Sequence, residues 1–401
     1  MLQQIVSNES EFPGAFPEGL LDAAAHQDPY PYYATLLALH PIFREAQTDM
    51  WALLGADEVE TVLEHPLCRV RPVAEPVPRA IAGSPAGAVF ADLARMNDGD
   101  RHAAMKPAIA AAISAFDAAD LTATARRTAV ATLEEFPLDA GGIDGVIRTY
   151  PVRVVAQMIG LGEARAPLAA ALTAKFAQCL SPLSGLTEIE QGKGAVAQLL
   201  HMLDEAGAAG HGGLPLFKDR LRELGLVPRD AAQANTLGLL LQTYEATAGL
   251  IGNTLLALAR DPALRRHIGG DDAFLRRLIL EVVRHDPPIQ NTRRYLAADC
   301  VIAGQKMKAG DTVLLVLAAA NRDPRRYDRP QALDPERADK SCFTFGAGAH
   351  ACPGARVAII LAETCIQALI ARGFDLAALP RRVSYAASVN ARIPIFGGLR
   401  P

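Results

Sequence analysis

Residues 343–354 read FTFGAGAHACPG, a loop that presents one thiol, Cys352, just before a long apolar stretch. Three of its positions are glycines: Gly346, Gly348 and Gly354. Glycine permits backbone angles and close approaches that a side chain would block, so a flat group can lie against this main chain. Pro353 is expected to open a helix, whose backbone N–H groups would stabilise a thiolate at Cys352. Because such a thiolate is a ligand for haem iron, we interpret the stretch as a haem-thiolate ligand loop.

Composition limits the classes of protein to which the chain can belong. It has 401 residues, half of them hydrophobic, which is enough for one large core or two modest ones. The 44 acidic residues face 40 basic ones, giving a net charge of −4. The overall charge therefore gives no reason to expect a nucleic acid or an anionic membrane as a partner.

Cysteine usage and the N-terminal sequence indicate the compartment. The six cysteines, which form no CxxC pair, are Cys68, Cys179, Cys300, Cys342, Cys352 and Cys365. This scatter suits a reducing compartment, so we expect no disulfides. Residues 1–16 have neither a basic region nor an apolar core, and nowhere do about 18 apolar residues follow one another. We therefore expect a soluble, cytoplasmic protein that does not enter a membrane.

Apolar periodicity and the positions of proline predict a chain dominated by helices. A turn over 28–33 is expected to start a helix that runs through Leu39, and helices are expected over 57–65, 229–260, 271–284 and 355–372. Further helices are expected within 89–210, broken at Pro137, Pro151, Pro167 and Pro182. Strands are expected over 49–54, 294–303, 312–317, 383–385 and 393–396, and residues 321–342 are expected to be irregular. No repeat or linker divides the chain, so we predict one domain over residues 1–401 that is mainly α with small β-sheets, an α+β class.

The stretch 229–260 contains no proline and is the longest of the predicted helices. About 30 helical residues span roughly 45 Å, enough to cross the whole molecule. Before it come Gly- and Pro-containing segments at 206–216 and around Pro228. These segments are either a surface loop or a lid over a pocket.

A second motif gives the thiol loop its context. Glu281 and Arg284 lie three residues apart on one face of a predicted helix, a pair that is usually solvated. Together with the spacing FGxGxHxCxG over 345–354, however, the pair resembles the ExxR element of the cytochrome P450 family. Arg337 matches the third member of that family's buried network. The resemblance extends over nearly the whole chain, and it implies that Glu281, Arg284 and Arg337 are structural residues.

The resemblance implies the cytochrome P450 fold, with the long helix crossing a haem b (iron protoporphyrin IX) whose iron takes Cys352 as its axial ligand. A dry pocket needs cations and donors facing the two haem propionates. Four residues match family positions that do this: His102, Lys106, Arg294 and His350. Lys106 stands where an arginine is usual, so the single charge of an ammonium replaces the two-pronged hydrogen-bond donor of a guanidinium. The loop positions that match cofactor contacts are Phe345, Gly346, Gly348 and Gly354.

The implied activity is that of a monooxygenase, which inserts one oxygen atom of dioxygen into a small to medium organic substrate by hydroxylation or epoxidation. Residues 242–247, QTYEAT, align with the family's AGx(D/E)TT stretch, where an acid and the next alcohol relay protons. Glu245 is present, but Ala246 replaces the alcohol. Thr247 or Thr243 could supply a hydroxyl instead, or both could bond only to the helix backbone. We favour a substrate hydroxyl with ordered water for this atypical relay, and the alternative is a peroxygenase that uses peroxide instead of dioxygen.

Substrate contacts follow from the resemblance alone. Ile289 and Gln290, after the ExxR helix, and Ala386 and Ala387, in a turn near the C-terminus, match segments that line the distal pocket in the family. Helices and a loop over 165–220 would form the roof of that pocket. The small alanines suggest room for a substrate without identifying it, and we expect natural-product tailoring in secondary metabolism.

The predicted haem domain uses all 401 residues, so none are left for a module that supplies electrons. The resemblance therefore implies a ferredoxin and a ferredoxin reductase as electron donors, docking where Arg356 and Arg322 contribute positive charge. We expect a monomer. Two alternatives stay open: a non-catalytic haem-binding protein such as a sensor or carrier, and a zinc site built from Cys342, His350 and Cys352, which would lack a second cysteine pair.

Overall fold

The computed structural model describes residues 16–208, 223, 229–268 and 272–398, and the structural statements below concern these residues. Most of the segment expected to be a loop or a lid, 209–216 and the surroundings of Pro228, lies outside them. Residues 217–220 of the expected pocket roof and Asp271, the expected first residue of a helix, also lie outside them.

Helices make up most of the described chain, as the periodicity predicts. In chain order they are α1 (Tyr30–Leu39), α2 (Ala56–Glu64), α3 (Pro85–Asp92), α4 (Gly99–Ser114), α5 (Ala118–Glu135), α6 (Ala140–Met158), α7 (Ala166–Cys179), α8 (Leu186–Ala208), α9 (Arg229–Arg260), α10 (Pro262–His267), α11 (Asp272–His285), α12 (Leu317–Ala320) and α13 (Ala355–Ala371). The predictions for α2, α9, α11 and α13 are confirmed to within one residue at each end, and α1 ends at Leu39 as predicted.

The strands form one five-stranded sheet and two hairpins. They are β1 (Ile42–Arg44), β2 (Trp51–Leu53), β3 (Cys68–Arg69), β4 (Thr292–Leu296), β5 (Cys300–Ile302), β6 (Gln305–Met307), β7 (Thr312–Leu315), β8 (Ser384–Tyr385) and β9 (Pro394–Ile395). The large sheet has the order β1-β2-β7-β4-β3, in which β2 and β7 are parallel and the other neighbours antiparallel. The mainly α architecture with small sheets is therefore confirmed, although the stretch 294–303 forms two strands and not one.

One proline does not break its helix as predicted. Pro151 lies inside α6, which continues from Ala140 to Met158. A proline in a helix interior removes one hydrogen bond and crowds the preceding turn. Here the surrounding residues Tyr150, Val152 and Val154 are all fully buried, so packing on every side of the helix offsets that cost.

The long helix α9 lies within the largest hydrophobic cluster, whose members run from Ile81 to Phe396. Its second half touches main chain directly: a Cβ on Gly249 would lie only 2.7 Å from the carbonyl oxygen of Arg392. Asn253 also donates a 2.9 Å hydrogen bond to the carbonyl of Asp286. These contacts fix the position of α9, and with it the residues in the middle of the helix.

No single helix in the described chain is both long and apolar enough to cross a membrane. Helices α4 and α5 satisfy that criterion only when they are joined as one pair, which is bent by 73°.

Candidate functional site

At two of its three glycines, the thiol loop has the left-handed backbone conformation that glycine favours. Gly346 and Gly348 have φ angles of +68° and +59°, in the left-handed region that favours glycine. The N–H of Cys352 donates to the carbonyl of Phe345 at 2.7 Å, which closes the loop. Gly354 differs from the prediction, because its φ of −93° is open to any residue and it serves as the cap before α13.

Cys352 combines an accessible surface with a largely enclosed position. Burial raises the pKa of its thiol, and the N–H groups of Gly354 and Ala355 and the charges of Lys106 and Arg95 oppose that rise. A side chain on the wall of an internal cleft is both enclosed by protein and open to solvent. The accessible surface decides what can reach the sulfur, so the thiol is available to a ligand that enters the cleft.

Side-chain hydrogen bonds fasten the loop to the rest of the fold. The Thr344 hydroxyl donates to the carbonyl of Val283 in α11 at 2.6 Å. It also accepts a 2.8 Å hydrogen bond from the amide of Asn321, whose own oxygen accepts from the N–H of Phe343 at 2.7 Å. The position of the thiol therefore depends on α11 and on the segment that contains Asn321.

Helix α11 also carries the predicted buried charge network. Glu281 and Arg284 are fully buried and 2.6 Å apart, and Arg337 lies 3.2 Å from the same Glu281 oxygen. The other donors of Arg284 bind three backbone carbonyls: those of Asn321, Pro330 and Ala332. Each charge thus has partners, as a buried ionic network requires. The structure brings Glu281, Arg284 and Arg337 together in the way that the ExxR resemblance implies.

The residues predicted to face the propionates converge beside the thiol loop. The rings of His102 and His350 lie 4.1 Å apart between centroids. His350 Nε2 is 3.2 Å from Asp98 Oδ1, and Asp98 is within electrostatic reach of the buried Arg294. The Lys106 ammonium donates to a carbonyl of the thiol loop. Asp98, which holds His350, is a contact that the sequence patterns did not indicate.

This cluster fits a cofactor that carries carboxylates. Burial lowers the pKa of His102 to about 4, and its Nε2 has no hydrogen-bond partner within the described residues. Burial also lowers the pKa values of Lys106 and Arg294, so both cations would be stabilised by a nearby anion. A haem presents two propionates, and the side chains present here suit them.

The threonines of α9 fall into two kinds. Thr236, Thr243 and Thr254 each bond back to the carbonyl four residues earlier at 2.8 Å. Thr247 is buried, and across the described chain no hydrogen bond involves its hydroxyl. The Thr243 hydroxyl is therefore committed to the helix backbone, whereas the Thr247 hydroxyl is free to meet a ligand.

Glu245 is a half-buried acid near the middle of α9. Burial raises its pKa, and the positive charges of Arg95 and Arg148 oppose that rise. Arg148, in α6, likewise opposes the effect of burial on the pKa of the neighbouring Tyr244. Sequence patterns did not identify either arginine, because each comes from an element far from α9 along the chain and belongs to no motif.

The segments predicted to contact substrate lie next to each other. Ile289 pairs with Ala391 in an isolated β-bridge, and the N–H of Ala386 donates to the carbonyl of Ile393 at 2.9 Å. Ile289 and Ala386 are half-buried and Ala387 is exposed. These three residues are thus placed where a ligand could reach them.

Gln290 is a correction to the predicted substrate set. Its side chain is fully buried and donates to the carbonyl of Pro287 at 2.8 Å and to the Tyr30 hydroxyl at 3.4 Å. A side chain held in this way by α1 and the proline turn presents nothing to a substrate.

The two arginines predicted to help an electron donor dock differ in exposure. Arg356 is exposed and donates to the carbonyl of Phe116 at 2.9 Å. Arg322 is buried, stacks on the ring of Tyr30 with its guanidinium carbon 3.4 Å from the ring centroid, and bonds to the His285 carbonyl. The prediction that Arg322 contributes positive charge to a docking surface is therefore wrong.

The zinc alternative requires three ligands at one point. In the part of the chain that the structure describes, no three His, Cys, Asp or Glu side chains are grouped to hold a metal ion. The structure thus contradicts a site made of Cys342, His350 and Cys352.

Comparison with known proteins places these observations in a family. The family model described as Cytochrome P450 matches residues 273–382. Cytochrome P450 133B2 of Xylella fastidiosa (strain 9a5c) is 32% identical over 229 residues, which cover 55% of this chain and 57% of that protein. The chain therefore matches little more than half the length of that relative.

Two further similarities extend over almost the whole chain. The vitamin D(3) 25-hydroxylase of Pseudonocardia autotrophica is 28% identical over 399 residues, covering 91% of each chain. The crystal structure of CalO2 superimposes with a TM-score of 0.81 at 24% identity, covering 94% of this chain and 96% of that one. The second similarity shows that the fold is the one found in CalO2.

Proposed function

Because the chain belongs to the cytochrome P450 family, we propose that it is a haem-thiolate monooxygenase that inserts one oxygen atom of dioxygen into a small to medium organic substrate, by hydroxylation or epoxidation. Members of this family are monooxygenase oxidoreductases. The observation that carries the proposal is Cys352, an accessible thiol surrounded by cations and backbone N–H groups. The name of the vitamin D(3) 25-hydroxylase favours hydroxylation as the type of reaction.

Haem b is the proposed cofactor, with Cys352 as its axial metal ligand. When bound, it supplies a redox-active iron at which dioxygen can be reduced. We assign its propionates to the cluster of cations and donors made of His102, Lys106, Arg294 and His350. The loop residues assigned to its face are Phe345, Gly346, Gly348 and Gly354. We assign a structural role to Glu281, Arg284 and Arg337, because their charged groups pair with one another and with backbone carbonyls.

Glu245 is the proposed group that holds and moves a proton. Because burial raises its pKa, its carboxyl retains a proton at higher pH than an exposed glutamate would, and Arg95 and Arg148 limit that effect. The free hydroxyl of Thr247 is proposed to position a water molecule or a substrate hydroxyl next to this acid. Thr243 is an unfavourable candidate for that task, because its hydroxyl already bonds to Leu239.

The remaining features of the proposal concern the setting of the reaction. Residues 1–401 are proposed to form one haem-binding domain, a monomer in the cytoplasm, and the extent of the largest hydrophobic cluster along the chain supports the single domain. A ferredoxin and its reductase are the proposed electron donors, with Arg356 at the docking surface. Natural products are the proposed substrates, contacted by Ile289, Ala386 and Ala387.

Two measurements test this proposal. The reduced protein, loaded with haem, should give the thiolate-shifted Soret band with carbon monoxide. With NADPH, a ferredoxin and a ferredoxin reductase, it should convert a member of a natural-product panel to a product that carries oxygen from isotopically labelled dioxygen. A protein with the band but no turnover of any panel member would instead support a haem sensor or carrier.

A second candidate function follows from Ala246, which replaces the alcohol expected after the acid. A peroxygenase receives its oxygen already reduced and needs no such alcohol. In that case hydrogen peroxide alone should drive turnover, and label from dioxygen should be absent from the product.

Replacing Glu245 with glutamine should lower the rate of oxygenation about a hundredfold, the lower end of what general acid–base catalysis contributes. Glutamine keeps the size of the side chain but cannot release a proton. The rate of product formation and the amount of product formed per electron pair consumed are the two measurements. Ala246→Thr is the control and should retain turnover with altered coupling, whereas full turnover by Glu245→Gln would contradict the assignment.

The two threonines around Glu245 offer a matched pair of variants. Thr247→Val should lower the fraction of electrons recovered in product about fivefold, corresponding to the loss of one hydrogen bond of about 1 kcal/mol. Thr243→Val should leave that fraction unchanged, because its hydroxyl serves only the helix backbone. Equal losses in both variants would show that the hydroxyl of Thr247 has no special role.

A further inference from the structure

Arg95 lies on a short 3-10 helix, Ala94–Met96, between α3 and α4. This segment is fastened to the long helix α9. The N–H of Ala94 donates to Asn235 Oδ1 at 2.8 Å, and Asn235 Nδ2 donates to the carbonyl of Asp92 at 2.9 Å. A Cβ on Gly238 would lie 2.7 Å from the Leu93 side chain, so the segment packs directly on α9. The backbone of Arg95 is therefore held at a fixed place beside the long helix.

The side chain of Arg95 lies within electrostatic reach of Cys352. It has exposed surface, yet burial lowers its pKa, with Glu245 and Cys352 opposing that effect. As for the thiol, exposed surface combined with enclosure is the property of a cleft wall. The guanidinium is also within electrostatic reach of the acid on α9, so it lies near both groups of the proposed reaction site.

The guanidinium of Arg95 has no direct partner in the described part of the chain, where no hydrogen bond or ion pair involves it. Other enclosed arginines have direct partners: Arg153 makes a two-pronged contact with Glu135 at 2.6 and 2.7 Å, and Arg392 bonds to Asp286 and three carbonyls. An arginine carries five N–H donors in a rigid fork. Leaving them without acceptors in an enclosed place is costly.

We propose that Arg95 binds a carboxylate in the cleft between α9 and the thiol loop. The fork of a guanidinium matches the two oxygens of a carboxylate, and such pairs are strong where water is scarce. The inference rests on the proposed function, which supplies two sources for this group: a propionate of the haem or a carboxylate of the substrate. Arg95 would thus be either a further cofactor contact or the residue that selects acidic substrates.

The rival explanation is that Arg95 only offsets the negative charge of Glu245 and binds no ligand. Arg95 acts on the pKa of Glu245 more strongly than Arg148 does, but Arg95 and Glu245 form no ion pair in the described part of the chain. Arg148→Gln is consequently a useful control, because it removes a cation close to Glu245 without changing Arg95.

The experiment compares Arg95→Gln, Arg95→Lys and Arg148→Gln with the wild type, all loaded with haem. The first measurement is the rate of haem transfer to apomyoglobin. The second is the affinity, by equilibrium dialysis, for pairs of carboxylic acids and their primary amides, from phenylacetate to dodecanoate. Faster haem loss in Arg95→Gln, about tenfold, identifies the propionate. A wild-type preference for the acids of about tenfold that disappears in Arg95→Gln identifies a substrate carboxylate.

Arg95→Lys should retain part of either effect, since it keeps the charge but not the fork. Unchanged haem transfer and unchanged ligand preference in Arg95→Gln would overturn the inference. The same changes in Arg148→Gln would also overturn the inference, because they would show that the effect comes from losing positive charge near Glu245 and not from Arg95 itself. The carbon monoxide spectrum of the wild type tests the thiolate ligand separately. If that spectrum shows the shifted band and Arg95→Gln changes neither haem transfer nor ligand preference, the role of Arg95 is refuted and the proposed function is not.

Discussion

Replacing Cys352 with alanine should abolish the thiolate-shifted Soret band of the reduced carbon monoxide complex and reduce oxygenation to the background level. Among the cysteines of the described chain, Cys352 alone combines exposed surface with flanking cations and N–H donors. By contrast, burial raises the pKa of Cys365 and that of Cys68 to about 12, as expected of inert core thiols. The absorption spectrum and the haem content of the purified variant are the measurements.

Cys342→Ala is the matched control for this experiment. Cys342 precedes the same loop, is half-buried, and has a pKa that burial raises although the N–H groups of Thr344 and Phe345 oppose the change. The control variant should keep the shifted band and the oxygenation activity. If Cys342→Ala lost the band and Cys352→Ala kept it, the ligand assignment would be reversed.

The thiol loop could be predicted because its chemistry is local in sequence. Residues 343–354 contain two glycines at positive φ, the thiol and the residue that caps the next helix. Their spacing along the sequence is therefore enough to predict how they are arranged. The buried charge network could not be predicted from local spacing in this way. A Glu and an Arg three apart are usually solvated, so only the family resemblance predicted that Glu281 and Arg284 are buried and share Arg337.

Other parts of the site depend on contacts between distant elements. Nothing in the residues around Arg95 or Arg148 shows that both approach Glu245, because that approach is created by packing α6 and the 94–96 turn on the long helix. Likewise, Thr243 and Thr247 are the same type of residue, but they differ in burial and in whether the hydroxyl bonds to the helix backbone. Side-chain direction is a property of the folded helix, and no sequence pattern contains it.

Three of the predictions that the structure corrects have a common physical cause. Pro151 stays helical, Gln290 is turned toward Tyr30, and Arg322 stacks on that same tyrosine. In each case burial among tertiary neighbours overrides what the residue type favours on a surface or in an isolated helix. Patterns that describe a residue and its sequence neighbours predict the element, but they do not predict what packs against it.

Replacing Glu281 with glutamine should lower the free energy of unfolding by about 3–5 kcal/mol, because it leaves Arg284 and Arg337 as buried charges without a counter-ion. Native proteins have only about 5–15 kcal/mol of stability, so this loss is large. The thiol loop should loosen as well, since Thr344 and Asn321 connect it to the same helix and segment. Urea unfolding followed by circular dichroism, with haem retention measured in parallel, tests both effects.

Glu190→Gln provides the comparison, because Glu190 and Lys193 have the same spacing on a helix but the carboxylate side chain is 69% exposed. Losing that pair should cost about 0.5 kcal/mol or less, as is usual for exposed ion pairs. If both variants unfolded at the same urea concentration as the wild type, the network around Glu281 could not be what braces the loop. The position of Cys352 would then depend on the hydrogen bonds of Thr344 and Asn321 alone, and Thr344→Val should loosen haem where Glu281→Gln does not.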